Sequence, residues 1–218
     1  MSKAGGGMIG VVDYGAGNLG SVMNALKRLS LPARFVRGPE ELSAGASPYE
    51  KVLFPGDGHF ATAMAALEKS GYDEALRGWI RADKPFLGIC IGLQLLFDAS
   101  EEAPPVEGRP VRGLSVIPGR VRRFPGRKVP QIGWNRTEAK PGAGLFRGLP
   151  ENSFFYYIHS YYADPQDAAV TAAEAEYYLR YCSVVEQGAL AAVQFHPEKS
   201  GTLGLRLLEN WAGGCHAG

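Results

Sequence analysis

The sequence predicts an α/β fold with a mostly parallel central sheet, flanking helices and additional antiparallel strands in the C-terminal half. Up to the stretch around Phe97, short apolar runs alternate with amphipathic helical patterns, the order expected of strand, crossover helix and parallel strand. After a connection over Ala99 to Gly113 that is rich in Pro, Gly and charge, further runs read as strands with turns between them, which suits antiparallel pairing. Ligands of such sheets bind beyond the carboxyl ends of the parallel strands, so the residues that follow each strand are the ones to read for chemistry.

Residues 1–7 have neither the apolar core of a signal peptide nor any periodicity, and they read as a disordered lead-in to a single domain over residues 8–214. Met8 to Tyr14 reads as a buried strand. Gly15-Ala16-Gly17-Asn18 breaks it before a helix from Leu19 to Leu29, with Val22, Ala25, Leu26 and Leu29 on one face. The glycines there lack the third member and the ribose-binding acid of a dinucleotide site. Ala33 to Val36 and Lys51 to Phe54 are the next strands, and the second runs into Pro55-Gly56-Asp57-Gly58-His59-Phe60. Two glycines around one residue at a strand's carboxyl end let backbone N–H groups turn toward a ligand, as an oxyanion hole requires. The same letters also suit a tight turn ahead of a Phe60 to Glu68 helix, with His59 as a cap or surface residue. Asp73 to Arg81 forms another amphipathic helix.

Pro85 then precedes a short apolar strand, Phe86 to Ile89, and a helical pattern begins at Leu93, so Cys90 falls where a strand turns sharply into a helix. Gly88 and Gly92 flank it at the spacing of a nucleophile elbow, where side chains at those positions would collide with the strained turn. A helix N-terminus aimed at the sulfur favours the thiolate. A buried structural cysteine with incidental glycines would look similar, so a partner base decides the matter.

Ser115 to Phe124, Val129 to Trp134, Ser153 to Tyr161, Glu176 to Val185 and Ala189 to Phe195 are the later strands. The aromatic run Phe154 to Tyr162 suits core packing, with His159, Ser160 and Tyr161 at its end offering polar groups to a cleft. The base appears at the end of the last strand. His196 is followed by Pro197, which fixes the turn, and Glu198 lies where it can reach back to orient the imidazole, ahead of a Ser200 to Trp211 helix. A Cys-His pair oriented by a carboxylate is the apparatus for attacking an amide carbonyl.

Composition narrows the function classes. Lys+Arg number 23 against 22 Asp+Glu, which gives no electrostatic reason to expect nucleic acid or an anionic membrane as partner. The basic set Arg109, Arg112, Arg120, Arg122, Arg123, Arg127 and Lys128 reads as a solvated face, or as a patch for an acidic partner or phosphate. The 3 cysteines have no metal-ligand spacing, so neither a disulfide framework nor a metal or other cofactor is expected, and a reducing cytoplasm is the expected compartment.

Gly88-Ile89-Cys90-Ile91-Gly92-Leu93-Gln94 and Gln194-Phe195-His196-Pro197-Glu198-Lys199-Ser200 resemble the motifs of class I, triad-type glutamine amidotransferases. More narrowly, Asp13-Tyr14-Gly15-Ala16-Gly17-Asn18, Pro55 to Phe60, Pro130-Gln131-Ile132-Gly133-Trp134-Asn135 and His159-Ser160-Tyr161-Tyr162 resemble the glutaminase subunits of imidazole glycerol phosphate synthases. The resemblance implies Cys90, His196 and Glu198 as catalytic residues and backbone N–H groups of Gly56, Asp57, Gly58 and Ile91 as the oxyanion hole. It implies Gln94, His159, Ser160 and Tyr161 for glutamine's amino-acid end, and Asn18, Gly133, Trp134 and Asn135 for the interface with a (β/α)₈-barrel cyclase partner. That partner would take the ammonia and act on a phosphorylated nucleotide in histidine biosynthesis. Asp57 departs from the often apolar residue of that family. Glutaminase subunits of pyridoxal phosphate or anthranilate synthesis, a Cys peptidase and a non-catalytic module of the same fold stand as alternatives.

Overall fold

The computed structural model describes residues 7–15, 17–43, 47–105, 108 and 110–214. The expected lead-in up to residue 6, Ala16, Arg109 and Cys215 lie outside the described residues. The chain runs β1 (Ile9–Val11), α1 (Leu19–Arg28), β2 (Ala33–Phe35), β3 (Lys51–Phe54), α2 (Phe60–Ser70), α3 (Tyr72–Arg81), β4 (Phe86–Ile89), α4 (Ile91–Gln94), β5 (Ala99–Ser100) and β6 (Gly119–Arg123). It continues with β7 (Gln131–Ala139), β8 (Ser153–His159), β9 (Tyr161–Pro165), β10 (Thr171–Tyr177), β11 (Leu179–Gln187), β12 (Leu190–Val193) and α5 (Gly201–Ala212).

The sheet has the order β2-β1-β3-β4-β12-β11-β10-β7-β8. Pairing is parallel from β2 through β12 and antiparallel from β12 to β8, as the fold-class reading expects. One connection matters most for function. β12, late in the chain, lies parallel beside β4 with Val193 opposite Ile89, and β3 lies on β4's other side with Phe54 opposite Gly88. Three adjacent parallel strands therefore end together, and the residues after them share one edge of the sheet.

Apolar side chains on successive residues of these strands go to opposite faces. Val52, Phe54 and Phe86 pack with Met64, Leu67, Leu76 and Trp79 of α2 and α3, while Leu53, Leu87 and Val193 pack with Val22 and Leu26 of α1 and Leu207 and Trp211 of α5. Strands buried on both faces read as continuous apolar runs, which is why β3 and β4 were identifiable to the residue.

The differences from expectation have local causes. The helix expected from Leu93 to Phe97 stops at Gln94, because the carbonyls of Leu95 and Leu96 accept from Leu114 and Val116 N–H at 2.7 and 2.8 Å. The first half of the expected Ser115 to Phe124 strand serves that purpose and leaves only Gly119–Arg123 as β6. Ser153 to Tyr161 breaks at Ser160 into β8 and β9, and Glu176 to Val185 is a hairpin, with Tyr178 at φ +61° between β10 and β11. β10 reads Thr-Ala-Ala-Glu-Ala-Glu-Tyr, a composition of helix formers, yet partners on both sides, β7 and β11, hold it extended.

Candidate active site

Cys90 sits at φ +56°, ψ −108°, a conformation a side-chain-bearing residue adopts only when its surroundings fix it. Its N–H donates to Val193 O at 2.8 Å, tying the elbow to β12. The flanking glycines are required by contact. A Cβ on Gly88 would lie 2.7 Å from Gly92 O, and one on Gly92 would lie 2.2 Å from Phe54 O. Ile91, the first residue of α4, has an N–H without an intrahelical partner, as helix starts leave it.

His196 follows β12, and its backbone is held on both sides: its N–H donates to Tyr156 O at 2.9 Å, and Ser200 Oγ donates to its carbonyl at 2.7 Å while accepting from Tyr156 N–H at 3.0 Å. Its Nδ1 meets Glu198 Oε1 at 2.8 Å, so the ring's other nitrogen, Nε2, is free to serve the sulfur. Burial alone would lower the imidazole pKa, but the hydrogen bonds and charge interactions with Cys90 and Glu198 outweigh it and raise it from 6.5 to about 10. The second carboxylate oxygen, Glu198 Oε2, is buried without a partner. Cys90 and His196, far apart in the chain, line one cavity of about 340 Å³.

Asp57, Gly58, Ile91, Gln94, His159, Ser160 and Tyr161 line the same cavity. Among the described residues the backbone N–H groups of Gly56, Asp57 and Gly58 have no hydrogen-bond partner, which leaves them available to a ligand. Gly58 is at φ +90°, where a side chain would be strained. The Asp57 side chain has a structural use: its Oδ1 accepts from Gly17 N–H at 2.9 Å and ties the β3 loop to the β1 loop. His59 is the N-cap of α2, with Nδ1 accepting from Ala61 N–H at 3.2 Å.

Gln94 is buried, and its Nε2 donates to Tyr161 O and to Gln194 Oε1, both at 3.0 Å. The ring of His159 is turned inward. Nδ1 donates to Tyr161 O at 2.7 Å, Nε2 meets Tyr181 Oη at 3.3 Å, and burial holds its pKa down at about 4, so it is neutral. Both of its nitrogens are thus taken up by Tyr161 and Tyr181, while the residue lines the cavity.

Several residues were missed as site candidates, among them Gln194, Glu102 and Lys199, the last two lining the cavity. Gln194, fully buried, directs Nε2 at the Cys90 sulfur at 3.8 Å. The sequence placed it at the head of the motif that carries His196, but gave no sign that its side chain reaches the sulfur. Glu102 lines the cavity and accepts from Phe60 N–H at 2.7 Å. It falls in the Pro- and charge-rich connection, where nothing in the letters separates it from surface carboxylates.

The expected interface residues divide. Asn18 caps α1, its Oδ1 accepting from Ser21 N–H at 3.2 Å. Gly133, Trp134 and Asn135 lie on β7, where Trp134 is 58% exposed. With Ile132 opposite Ile158 and Trp134 opposite Tyr156, the β7–β8 hairpin presents an exposed apolar face that also carries Phe154. Ile158 lines the cavity too, so this face is continuous with its mouth. No helix among the described residues is long and apolar enough to cross a membrane.

The glutamine amidotransferase class-I profile matches residues 10–212. The imidazole glycerol phosphate synthase subunit HisH of Desulfitobacterium hafniense is 43% identical over 205 residues, covering 94% of this chain and 93% of that one. That of Moorella thermoacetica is 45% identical over 205 residues, covering 93% of each chain, and that of Chlorobaculum tepidum is 42% identical over 208 residues, covering 94% and 99%. A solved glutamine amidotransferase superposes with TM-score 0.71 at 22% identity over 95% of this chain and 100% of that one. The PurLQS structure from Thermotoga maritima gives 0.71 at 15% identity over 94% and 97%, and at these identities the likeness is one of fold.

Proposed function

The chain belongs to the class-I glutamine amidotransferase family, and on that premise we propose that Cys90, His196 and Glu198 carry out its chemistry. The activity is that of the glutaminase subunit of an imidazole glycerol phosphate synthase in histidine biosynthesis: glutamine is hydrolysed to glutamate, and the ammonia passes to the synthase reaction. The observation that carries the residue assignment is the cavity itself. A cysteine in strained elbow geometry and a histidine held by a carboxylate face the same space.

At neutral pH an imidazole whose pKa is raised to about 10 is protonated, and the nucleophile of the reaction is the sulfur of Cys90. Cys90 Sγ attacks the side-chain amide carbon of glutamine, and the carbonyl electrons move onto oxygen. Ile91 N–H and the N–H groups of the Gly56, Asp57 and Gly58 loop receive that oxyanion, each donor lowering the barrier by about 3 kcal/mol. The C–N bond then breaks as His196 Nε2–H protonates the leaving nitrogen, which departs as ammonia. Water gives a proton to His196 and attacks the thioester, and the sulfur leaves as thiolate with glutamate as product. Glu198 keeps Nδ1 protonated, so that Nε2 is the working nitrogen throughout.

Gln94, Ser160 and Tyr161 orient the amino-acid end of glutamine, with His159 fixing the Tyr161 backbone. Glu102 supplies a carboxylate for the α-ammonium group. The β7–β8 face, with Trp134 exposed at its centre, is the docking surface for the barrel cyclase; Gly133 and Asn135 flank it, and Asn18 belongs to the same interface. Docking there would cover the cavity mouth and keep ammonia from water. We place this reaction in the cytoplasm and assign residues 8–214 to one domain.

A glutamine analogue bearing an electrophilic diazoketone in place of its amide tests the reading. Stoichiometric labelling of Cys90 by mass spectrometry, blocked by excess glutamine, is expected. Labelling elsewhere, or none with Cys90 accessible to iodoacetamide, would refute it.

A further inference from the structure

Gln194 is fully buried, and its side-chain Nε2 lies 3.8 Å from Cys90 Sγ, within hydrogen-bond reach of a sulfur. It follows β12 directly, and its backbone N–H donates to Ser183 O at 2.8 Å, which anchors it to β11 as well. Neither the triad nor the oxyanion donors account for it. A buried primary amide is costly unless its groups are paired, so what each end of this one meets is informative.

Its orientation is fixed from outside. Tyr161 O, a backbone carbonyl that can only accept, lies 3.0 Å from one end of the Gln94 amide, so that end is Nε2. The same nitrogen lies 3.0 Å from the Gln194 amide, which must turn its Oε1 there. Nε2 of Gln194 is then left for the sulfur; turning either amide over would set two acceptors or two donors against each other. Donation by Gln94 to the Gln194 oxygen also polarises the second amide and strengthens its N–H as a donor. Both Nε2 hydrogens of Gln94 are used in this chain, so what its amide keeps for the cavity it lines is the Oε1 acceptor.

Cys90 is nearly buried, and its sulfur meets two nitrogen-bearing side chains, the His196 imidazole and the Gln194 amide. They differ in use. The imidazole gives up and regains its proton in each cycle, whereas a primary amide keeps its hydrogens, so the amide is the contact that stays constant. We propose that Gln194 is a positioning residue for the nucleophile: its Nε2–H, aimed by Gln94, donates to Cys90 Sγ and holds the sulfur in the place from which it attacks. An N–H donated to a sulfur also favours the anion, the form that attacks. This inference deepens the glutaminase reading and rests on it.

The test is Gln194→Met in the full chain, which keeps the length of the side chain and leaves no N–H to donate. Glutamine hydrolysis is measured with the cyclase, and alkylation of Cys90 by iodoacetamide is followed by mass spectrometry without glutamine at about pH 6.5. Because Gln94 Nε2 loses an acceptor, the melting temperature is expected to fall, and both rates are taken well below it. The kcat is expected to drop at least about tenfold with KM within about threefold, and the alkylation rate to drop at least about threefold. An alkylation rate equal to the parent's overturns the proposal whatever the turnover; with a raised KM it would leave Gln194 as a support for Gln94 alone. An unchanged kcat overturns it as well. If Gln194→Met does not fold, Gln194→Glu, which keeps the oxygen that serves Gln94 and replaces the nitrogen, is read in the same way. If the parent hydrolysed no glutamine even with the cyclase, the glutaminase reading would fail by itself, and the alkylation rates of parent and variant would still decide whether Gln194 acts on the sulfur.

Discussion

Replacing Gly92 by alanine asks whether the elbow glycines are there for contact. The added Cβ would sit 2.2 Å from the carbonyl oxygen of Phe54, at the end of the neighbouring strand. A carbon and a carbonyl oxygen approach to about 3.3 Å, so α4 and β3 must separate by about 1 Å. Both lie in the core, where overpacking costs about 1–3 kcal/mol, and each kcal/mol lowers the melting temperature of a chain this size by about 2–4 °C. The same displacement carries Cys90 and Ile91 away from His196 and the β3 loop, and an error of about 1 Å in a reacting geometry costs on the order of 100-fold in rate. Gly20→Ala is the control: on the exposed face of α1, a Cβ there meets nothing within 4 Å, so a neutral or slightly stabilising change is expected. Calorimetry and glutamine hydrolysis on the two variants decide. A Gly92→Ala protein with the stability and turnover of the parent would refute the contact argument.

Two further substitutions probe the charge and the interface. Because His196 has a folded pKa of about 10 against 6.5, its stabilising contribution is complete below about 6.5 and is lost as pH rises toward 10. Glu198→Gln removes a charge-assisted hydrogen bond contributing about 1.5–3 kcal/mol, so the imidazole pKa should fall by about 1–2 units and stability should decline from a lower pH. Denaturation midpoints between pH 6 and 11, followed with the histidine NMR titration, check this, and superimposable profiles would contradict it. Trp134→Ala should leave stability within about 0.5 kcal/mol, since the side chain is 58% exposed, yet weaken cyclase binding by at least about tenfold. Titration calorimetry showing unchanged affinity would move the interface off the β7–β8 face.

The parallel half of the fold was legible because strands covered on both faces carry an unbroken apolar signal and their helices a clear stripe. β3 and β4 match to the residue, and Cys90 was identifiable because an elbow needs small neighbours. The antiparallel half was less legible. β10 is written in helix-forming residues and held extended by partners distant in sequence, and the turn at Tyr178 carries no Gly, Asn or Asp to announce it. What brings His196 to Cys90 is the insertion of β12 between β4 and β11, a long-range pairing that leaves no trace in either segment alone. His159 lines the cleft at a strand end as expected, but Tyr161 and Tyr181 take up both ring nitrogens, which its position in the sequence does not announce. Gln194 and Glu102 acquire meaning only once the sheet has closed around the elbow.

The central claim is that the sulfur of Cys90 is the group that opens glutamine. Glutamate formation from glutamine, followed with the cyclase present for the parent chain and for Cys90→Ala, measures it most directly. The account predicts turnover by the parent and a loss of at least about 10³-fold in the variant. Glutamate formed at comparable rates by both would contradict it.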